Sequence, residues 1–311
     1  MYFFLSNLSI LDICSTSLPL PKMLDSFFTG NKSISFCACM TQIYFFQAFT
    51  GTEFFLLTAM AYDRYVAICD PLHYSHVMKK SICILLAVGS FVIGSLDALP
   101  FGEMLSKLSY CKSNEINHFF CETAVLIKLS CSDPHQLEVL IFVEGIFVGF
   151  TPFLLILISY IFIISTILKI RCTEGRHKAF STCASHLTSV ILLYMTLICI
   201  YMRPASMYSP AQNKLFSLLY TALIPMLNPI IYSLRNREIK TTLRKIRRIA
   251  RKLEKKDSEI TMVATGVGVV GEEDGEPGAA ETMTVVEPES RDAALVDVNT
   301  GLDTEKDIMI I

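Results

Sequence analysis

Charged residues are scarce in this chain. Asp, Glu, Lys and Arg make up 18% of its 311 residues, against about 25% in an average soluble protein. Hydrophobic residues reach 52%, and the mean hydropathy is +0.48. An apolar body of this kind has too little polar surface to offer to water. The composition therefore argues against a soluble enzyme and against a nucleic-acid-binding domain.

The few charges are distributed unevenly. Residues 257–311 carry 14 Asp and Glu against 2 Lys and Arg, whereas residues 235–256 carry 11 Lys and Arg against 2 Asp and Glu. The net charge of −2 is therefore a cancellation. Apolar residues at helical spacing in the basic segment predict an amphipathic helix on the inner membrane surface, and the acidic tail is predicted to be disordered. The chain thus divides into a membrane body at 1–234, a basic juxtamembrane helix at 235–256 and an acidic tail at 257–311.

Six stretches are apolar and long enough to cross a bilayer as helices, which requires roughly 20 residues each. They lie at residues 2–24, 40–68, 82–101, 137–168, 183–202 and 214–233. Basic residues follow the second, fourth and sixth stretches, so the positive-inside rule places those ends and both chain termini in the cytoplasm. No signal peptide precedes the first stretch, where Asp12 leaves an interfacial segment open as the alternative. The pattern predicts an all-α, multi-pass protein of the plasma membrane.

Several short motifs occur in order along these stretches. They are MYFFLSNLS at 1–9, MAYDRYVAIC at 60–69, HFFCE and LSCSD within 118–133, KAFSTCASHL at 178–187 and PMLNPIIYSLRN at 225–236. Together they resemble the olfactory receptors, a rhodopsin-like family of G-protein-coupled receptors. The resemblance covers about residues 1–248 and implies a rhodopsin-like seven-helix bundle with only six spans present. The family's first span and its glycosylated N-terminal segment have no counterpart before Tyr2.

Cysteines are grouped on the predicted outer side of the membrane, where oxidising conditions allow disulfides. The spacing alone leaves several pairings open. The resemblance implies the pairs Cys39–Cys121 and Cys111–Cys131. His118, Cys121 and Glu122 are metal-ligand types at close spacing, but a cysteine in a disulfide offers no thiolate to a metal. We therefore expect no metal site and no cofactor.

The resemblance also implies an activation switch at the cytoplasmic ends of the spans. Its residues are Asp63, Arg64, Tyr65, Tyr160, Asn228, Pro229 and Tyr232. Arg64 is expected to pair with its neighbouring acid in the closed bundle and to be released when the helices part. The tyrosines at 160 and 232 are expected to swing inward on activation, and Pro229 permits a kink. The alternative for Arg64 is an interfacial arginine that reaches toward the headgroups.

Asp12 and Glu53 are carboxylates within predicted spans, where ionisable groups are functional candidates by default. In rhodopsin-like receptors the acid that matches Asp12 binds a sodium ion or relays protons, and the resemblance places Glu53 beside it. The alternative is a pair that shares one proton and is hydrogen-bonded to Asn228.

Side chains in the outer third of the bundle share helix faces at spacings of three, four and seven residues. The predicted ligand-binding residues are Phe46, Gln47, Thr50, Glu144, Val148, Tyr194, Leu197, Ile198 and Tyr201. Tyrosine combines an apolar body with one hydroxyl, which suits small, mostly apolar ligands. The alternative for each residue is ordinary helix packing.

Glu144 lies 16 residues above Tyr160, which is about 24 Å along a helix and therefore at the depth of the ligand site. Asp97 is predicted at a similar depth. A desolvated carboxylate needs a cation, a hydrogen bond or a proton. Glu144 therefore favours ligands with an amine or another donor group, and the alternative is a protonated or headgroup-facing acid.

These patterns predict an odorant receptor without enzymatic chemistry. By resemblance, a small volatile ligand opens the cytoplasmic end, which engages a stimulatory olfactory G protein that raises cyclic AMP in sensory cilia. Membrane lipids are the remaining expected partner, and nucleic acid is not one. Another rhodopsin-like receptor, a non-functional truncated receptor and an ion transporter or channel are the alternatives, although the internal repeat typical of transporters is missing.

Overall fold

The computed structural model describes residues 1–111, 115–201, 210–235, 245–251 and 309–310. Residues 1–236 and 303–311 form one compact unit, and residues 237–302 form another. Of the second unit only residues 245–251 are described; they are helical and expose Ile246 and Ile249. Most of the basic segment 235–256 and nearly all of the acidic tail 257–311 lie outside the described residues.

The first predicted span is a helix with a break. Helix α1 covers Tyr2–Thr16 and helix α2 covers Leu20–Thr29. The break coincides with Pro19 and Pro21, because proline lacks a backbone donor and is best tolerated in the first turn of a helix. Helix α2 ends at Gly30, whose φ of 71° is left-handed and favours glycine.

Helix α3, Phe36–Cys69, is the central element of the bundle. Its N-terminus is capped by Ser35, whose hydroxyl accepts the Ala38 amide at 3.2 Å. After the short helix α4, Tyr74–Val77, comes the long helix α5, Lys80–Lys107. A Cβ atom at Gly94 of α5 would lie 2.5 Å from the Ala48 carbonyl oxygen, so the close approach of α3 and α5 requires glycine there.

The loop after α5 contains strand β1, Glu115–Ile116, and helix α6, Thr123–Leu129. The next span comprises helix α7, His135–Glu144, a π-helical turn at Gly145–Phe150, and helix α8, Thr151–Lys169. The π turn directly precedes Pro152, where a backbone donor is missing from the helix ladder.

Helix α9 covers Thr173–Tyr201. The last span comprises helix α10, Pro210–Leu218, a π-helical turn at Leu219–Leu223, and helix α11, Ile224–Arg235, with Pro229 inside it. Strand β2, Met309–Ile310, pairs antiparallel with β1.

Five helical segments in the described part of the chain are long and apolar enough to cross a membrane. They are Tyr2–Thr29, Lys80–Lys107, His135–Lys169, Thr173–Ile200 and Gln212–Tyr232. Helix α3 is less apolar because it carries polar side chains toward the centre of the bundle, but its 34 residues complete a bundle of six spans. Within the described residues the predicted spans are thus helical apart from the break at 17–19, and the helices extend beyond the predicted limits at most ends.

Apolar side chains outside the bundle contacts face outward, as lipid requires. Leu85, Phe142, Phe147 and Leu168 are each more than 60% exposed. Inside, one apolar core surrounds the inner two thirds of α3, and a second core surrounds Cys39 and Cys121 at its outer end. The structure forms the disulfides Cys39–Cys121 and Cys111–Cys131, the two pairs that the resemblance implied.

Candidate functional site

Phe46 is the point in the outer half where α3, the long loop and the last span meet. Its ring lies 5.3 Å from the ring of Phe120 and 5.6 Å from that of Tyr220. The Tyr220 hydroxyl donates to Thr50 Oγ1 at 2.9 Å, and that oxygen donates in turn to the Phe46 carbonyl at 2.8 Å. Two predicted ligand residues, Phe46 and Thr50, therefore lie together. The rings of Phe46, Phe120 and Tyr220 form an aromatic wall, and the hydroxyl groups of Thr50 and Tyr220 are the polar groups within it.

Gln47 and Glu144 are in direct contact. The Gln47 amide nitrogen donates to Glu144 Oε1, and Asp97 of α5 interacts with the same amide and repels the Glu144 carboxylate. Glu144 therefore faces the bundle rather than the lipid headgroups. Val148, one turn further along, is buried, and its Cγ1 lies 3.6 Å from the place a Cβ would take on Gly51.

The residues predicted on α9 divide between two faces. The Tyr194 hydroxyl donates to the Gly149 carbonyl at 3.1 Å, and its ring packs against Phe54 and Phe153. Leu197 is half-buried against the core. Ile198 is 46% exposed and continues the outward stripe of Ile191 and Met195, so the structure does not place it in the ligand site. The side chain of Tyr201 lies outside the described residues.

Five polar side chains are buried together above Phe46, and we call them the outer polar cluster. They are His118 and Glu122 of the long loop and Asn213, Lys214 and Ser217 of α10, none more than 6% exposed. Asn213 Nδ2 donates to Glu122 Oε2 at 3.5 Å, and Ser217 also interacts with that carboxyl group. Burial raises the pKa of Glu122 to about 7 and lowers the pKa of His118 to about 4.

Gln42 fixes the loop above the site. Its Nε2 donates to the Leu18 carbonyl at 3.0 Å, and its Oε1 accepts the Cys121 amide at 2.9 Å. One buried amide thus connects the break between α1 and α2 to the loop residue that is disulfide-bonded to Cys39. Both ends of the amide are hydrogen-bonded, so this side chain ties the loop to α3 and to the break.

At the cytoplasmic end, the described contacts of Asp63 are with residues other than Arg64. Asp63 Oδ1 accepts the Tyr74 hydroxyl at 2.9 Å, and the Met1 amino group lies 3.4 Å from the same carboxylate. Arg64 is 3% exposed, hydrogen-bonds the Cys183 thiol and lies within electrostatic range of Tyr160 and Tyr232. Arg64 therefore points toward α8, α9 and α11, which differs from the expected pairing with its neighbouring acid. Tyr65 packs against Phe162, with ring centroids 6.0 Å apart.

His186 of α9 connects three helices beside Arg64. Its Nε2 lies 3.0 Å from the Leu57 carbonyl, and its Nδ1 lies 2.9 Å from the Tyr160 hydroxyl. The carbonyl accepts only, so Nε2 carries a proton. The Tyr160 hydroxyl is also 3.2 Å from the Cys183 carbonyl. We call Arg64, Tyr160, Cys183 and His186 the inner polar cluster.

A model of the olfactory receptor family matches residues 1–250. Human olfactory receptor 1F1 is 50% identical over 246 residues, which are 79% of each chain, and mouse olfactory receptor 5AR1 is 51% identical over the same share. The chain belongs to the olfactory receptor family. The fold agrees, since squid rhodopsin superposes with a TM-score of 0.58 at 17% identity over 78% of this chain and 70% of the rhodopsin.

Family membership and fold make this olfactory receptor a multi-pass G-protein-coupled receptor of the rhodopsin-like class. Membership of this family implies, in general terms, two kinds of partner: a small odorant ligand and a heterotrimeric G protein. The family is one of receptors rather than of enzymes. In the described part of the chain no three His, Cys, Asp or Glu side chains come together as metal ligands would.

Asp12 and Asn228 of the receptor meet between the two polar clusters. Asn228 Nδ2 donates to Asp12 Oδ1 at 3.2 Å, and both side chains are at most 5% exposed. Asp12 Oδ2 has no hydrogen-bond partner among the described residues, and Glu53 interacts electrostatically with Asp12. Pro229 follows on the outward face, and Tyr232 is buried one turn below. The sodium or proton role of the two acids stays a prediction.

Sequence reasoning missed several contributors to these sites, and three of them are buried polar residues of the two polar clusters. His186, Asn213 and Lys214 are all buried, although asparagine and lysine are mostly exposed in proteins and histidine is intermediate. The sequence contained one signal for their burial: Asn213 directly precedes the apolar stretch 214–233, and Lys214 is its first residue. A lysine in that position is ordinarily interpreted as a flanking residue that reaches toward water.

Proposed function

We propose that this receptor binds small, mostly apolar odorants in the outer third of the bundle and activates a stimulatory olfactory G protein that raises cyclic AMP. The ligand contacts the aromatic wall at Phe46, Thr50 and Tyr220, and Gln47, Glu144, Val148, Tyr194 and Leu197 extend the site. The receptor acts at the plasma membrane of sensory cilia and carries out no catalytic step.

The observation that supports this proposal is the course of α3. This helix carries Phe46 and Thr50 at the outer site, Glu53 at the buried acid pair, and Arg64 at the cytoplasmic end. Phe46 and Arg64 are 18 residues apart, which is about 27 Å along a helix. A ligand that shifts α3 against the last span at the Phe46–Tyr220 contact would therefore act on both polar regions below it.

The inner polar cluster supplies the switch in this proposal. Arg64 is held among residues of α8, α9 and α11, and Asp63 is held by Tyr74 of the following loop. Parting of α9 from α3 would break the contact of His186 with the Leu57 carbonyl and expose Arg64 to the G protein. The neighbouring segments 70–80 and 171–182 are the other candidate contacts.

The test is a cyclic AMP assay in cells that express the 311-residue chain and the stimulatory olfactory G protein, with receptor at the surface measured by antibody. The probes share an eight-carbon tail and differ in head group: octanol, octanal, octanoate and octylamine. We expect at least one probe to raise cyclic AMP and, separately, to raise the melting midpoint of the purified receptor. Arg64→Gln should abolish the cyclic AMP response and keep the ligand-induced rise in melting midpoint.

A chain that reaches the surface and shows neither response to any probe would overturn the proposal. A chain that fails to reach the surface would favour the alternative of a non-functional receptor. Lys107→Met, which removes an exposed charge at the outer end of α5, serves as the matched control and should leave both responses unchanged.

A further inference from the structure

The loop between α2 and α3 carries a short motif that the odorant site does not use. Asn31-Lys32-Ser33 has the order Asn-X-Ser, which is the acceptor sequence for N-linked glycosylation when X is not proline. Asn7-Leu8-Ser9 of α1 has the same order. A sequence match alone is a weak signal, so the surroundings of the two asparagines have to decide between them.

The side chain of Asn31 is exposed, and its own motif holds it in a turn. Asn31 Oδ1 accepts the Ser33 backbone amide at 3.1 Å and the Ser33 hydroxyl at 2.7 Å. An atom that accepts from a backbone amide must be the oxygen, so Nδ2, to which a sugar is attached, is directed away from Ser33. The Asn31 backbone amide donates to Thr29 Oγ1 at 3.1 Å, and the Asn31 carbonyl accepts from Lys22 and Ser26. These contacts fix the turn through the backbone and Oδ1 and leave Nδ2 available for chemistry.

The length of α3 places this loop outside the hydrocarbon layer. The helix has 34 residues and is about 51 Å long, whereas the hydrocarbon core of a bilayer is about 30 Å thick. Counted from Arg64 at the cytoplasmic end, about 20 residues of α3 reach the outer boundary near Tyr44. Phe36, the first residue of α3, then stands about 12 Å above that boundary. Asn31 precedes Tyr44 by 13 residues, so it lies beyond the membrane surface.

The first span gives the same height for the loop. Gln42 Nε2 donates to the Leu18 carbonyl at 3.0 Å, so the end of α1 lies close to the outer boundary on α3. Helix α2 follows and carries the ion pair of Lys22 with Asp25 at 2.7 Å, which belongs in water rather than in lipid. Both helices that flank the loop therefore place Asn31 in aqueous surroundings.

A disulfide indicates which compartment this loop faces. Cys39, in the first turn of α3 and eight residues after Asn31, is bonded to Cys121. Disulfides form in the lumen of the endoplasmic reticulum, which is also where asparagine residues of membrane proteins receive their glycans. The positive-inside rule places the same loop opposite the cytoplasm. Two independent observations thus put Asn31 in the compartment of the glycosylation machinery.

Asn7 differs from Asn31 on each of these points. It lies within α1, and its Nδ2 donates to the Phe3 carbonyl at 2.8 Å. The Met1 amino group lies 3.4 Å from the Asp63 carboxylate, so the start of α1 is at the cytoplasmic end of the bundle. The same motif therefore occurs once where a glycan can be attached and once where it cannot, which makes Asn7 the internal control.

We propose that Asn31 is an N-glycosylation site of this receptor. In the transfer, Asn31 Nδ2 forms a bond to the anomeric carbon of a lipid-linked oligosaccharide and releases one proton. The bond from that carbon to the lipid diphosphate breaks, and the diphosphate leaves with the lipid. The modification goes beyond the proposed odorant function and does not rest on it, because it requires neither a ligand nor a G protein.

The test is treatment of the 311-residue chain, expressed in mammalian cells, with a peptide N-glycosidase, read as mobility on a denaturing gel. We expect the enzyme to increase the mobility of the wild type in one step. Asn31→Gln and Ser33→Ala should migrate like the treated wild type and lose this step completely, whereas Asn7→Gln and Ser33→Thr should keep it. Mass spectrometry of the tryptic peptide Met23–Lys32 locates the site, because the enzyme leaves an aspartate at the attachment position.

The sugar is transferred during synthesis, so a variant that folds poorly still reports on its acceptor asparagine. A wild-type chain whose mobility the glycosidase leaves unchanged would overturn the proposal. So would a step that Asn31→Gln retains, since the glycan would then be on another residue. A step that is lost in Asn7→Gln instead would also overturn it, and would place the start of α1 on the outer side of the membrane.

Discussion

The receptor contains two buried histidines whose surroundings differ. His186, in the inner half, has both ring nitrogens engaged, one with the Leu57 carbonyl at 3.0 Å and one with the Tyr160 hydroxyl at 2.9 Å. His118, in the outer half, has Nδ1 engaged by the Phe120 amide, whereas Nε2 has no hydrogen-bond partner among the described residues.

This difference separates two uses of buried polar groups. A satisfied network fixes the relative position of the helices that contribute to it, and removing one member leaves the others unpaired. An unsatisfied donor instead keeps hydrogen-bonding capacity for another molecule. The inner polar cluster should therefore control the response to every ligand, while the outer one should control which ligand is bound.

The largest expected effect comes from His186→Phe. Phenylalanine keeps the ring parallel to Tyr160 but removes both hydrogen bonds from a buried site, at a cost of about 2–4 kcal/mol. We expect a melting midpoint lower by several degrees and loss of the cyclic AMP response to all probes together. Circular dichroism melting of purified receptor and the cell assay measure the two effects.

The control for His186→Phe is Met195→Phe, which adds an aromatic ring on the lipid-facing side of the same helix, where Met195 is 54% exposed. It should leave both measurements near wild type. Selective loss of one ligand in His186→Phe would contradict the comparison, because it would give the inner histidine the role assigned to the outer one.

A smaller and selective effect is expected from Glu144→Gln. Glu144 faces the bundle beside Gln47 and Asp97, so an amine ligand that pairs with it would lose an ionic hydrogen bond. The half-maximal concentration for octylamine should rise about tenfold, with octanol unchanged. Glu138→Gln, an exposed acid in the first turn of α7, is the matched control. Unchanged octylamine potency in Glu144→Gln would reject the amine preference.

Much of this fold is predictable from the sequence, because a span in lipid must be an apolar helix of about 20 residues. The described residues of all six predicted stretches are helical, apart from the break at 17–19. The break at Pro19 was visible as a Pro-Leu-Pro sequence, whereas the π turns at Gly145–Phe150 and Leu219–Leu223 were not, since helical periodicity does not distinguish them. Family motifs, rather than periodicity, supplied the disulfide pairing.

The candidate sites were less predictable, for two physical reasons. Helical spacing on α9 grouped Ile198 with Tyr194 and Leu197, but Ile198 is exposed. One face of this helix contacts protein and the next contacts lipid, and residue spacing alone does not locate the boundary between the two faces. The outer polar cluster joins residues 91 positions apart, as in the contact of Asn213 with Glu122. No local sequence pattern predicts a contact between residues so far apart, so Lys214 was not expected to be buried.

The smallest expected effect is a pH dependence that distinguishes the outer cluster from the inner one. In the folded receptor Glu122 keeps its proton up to a pKa of about 7, and His118 gains one only below about 4. In the unfolded chain their ordinary values are 4.5 and 6.5. Between pH 4.5 and 6.5 this pair thus binds one proton in total in both states, and the pair contributes no pH dependence to stability.

Glu122→Gln should remove this cancellation. Of the pair only His118 then titrates, and the unfolded chain binds the extra proton between pH 4 and 6.5. Relative to wild type, the stability of Glu122→Gln should therefore rise with pH there by up to about 1.4 kcal/mol per unit. Above pH 6.5 the wild-type receptor should lose stability relative to Glu122→Gln, because its folded state still holds the Glu122 proton. Melting midpoints of wild type, Glu122→Gln and the exposed control Glu103→Gln at pH 5, 6, 7 and 8 measure these slopes. Among the described residues, Lys128 acts on the charge of Glu122 and Lys214 on that of His118. A Glu122→Gln profile parallel to wild type would show that the two shifts do not oppose each other.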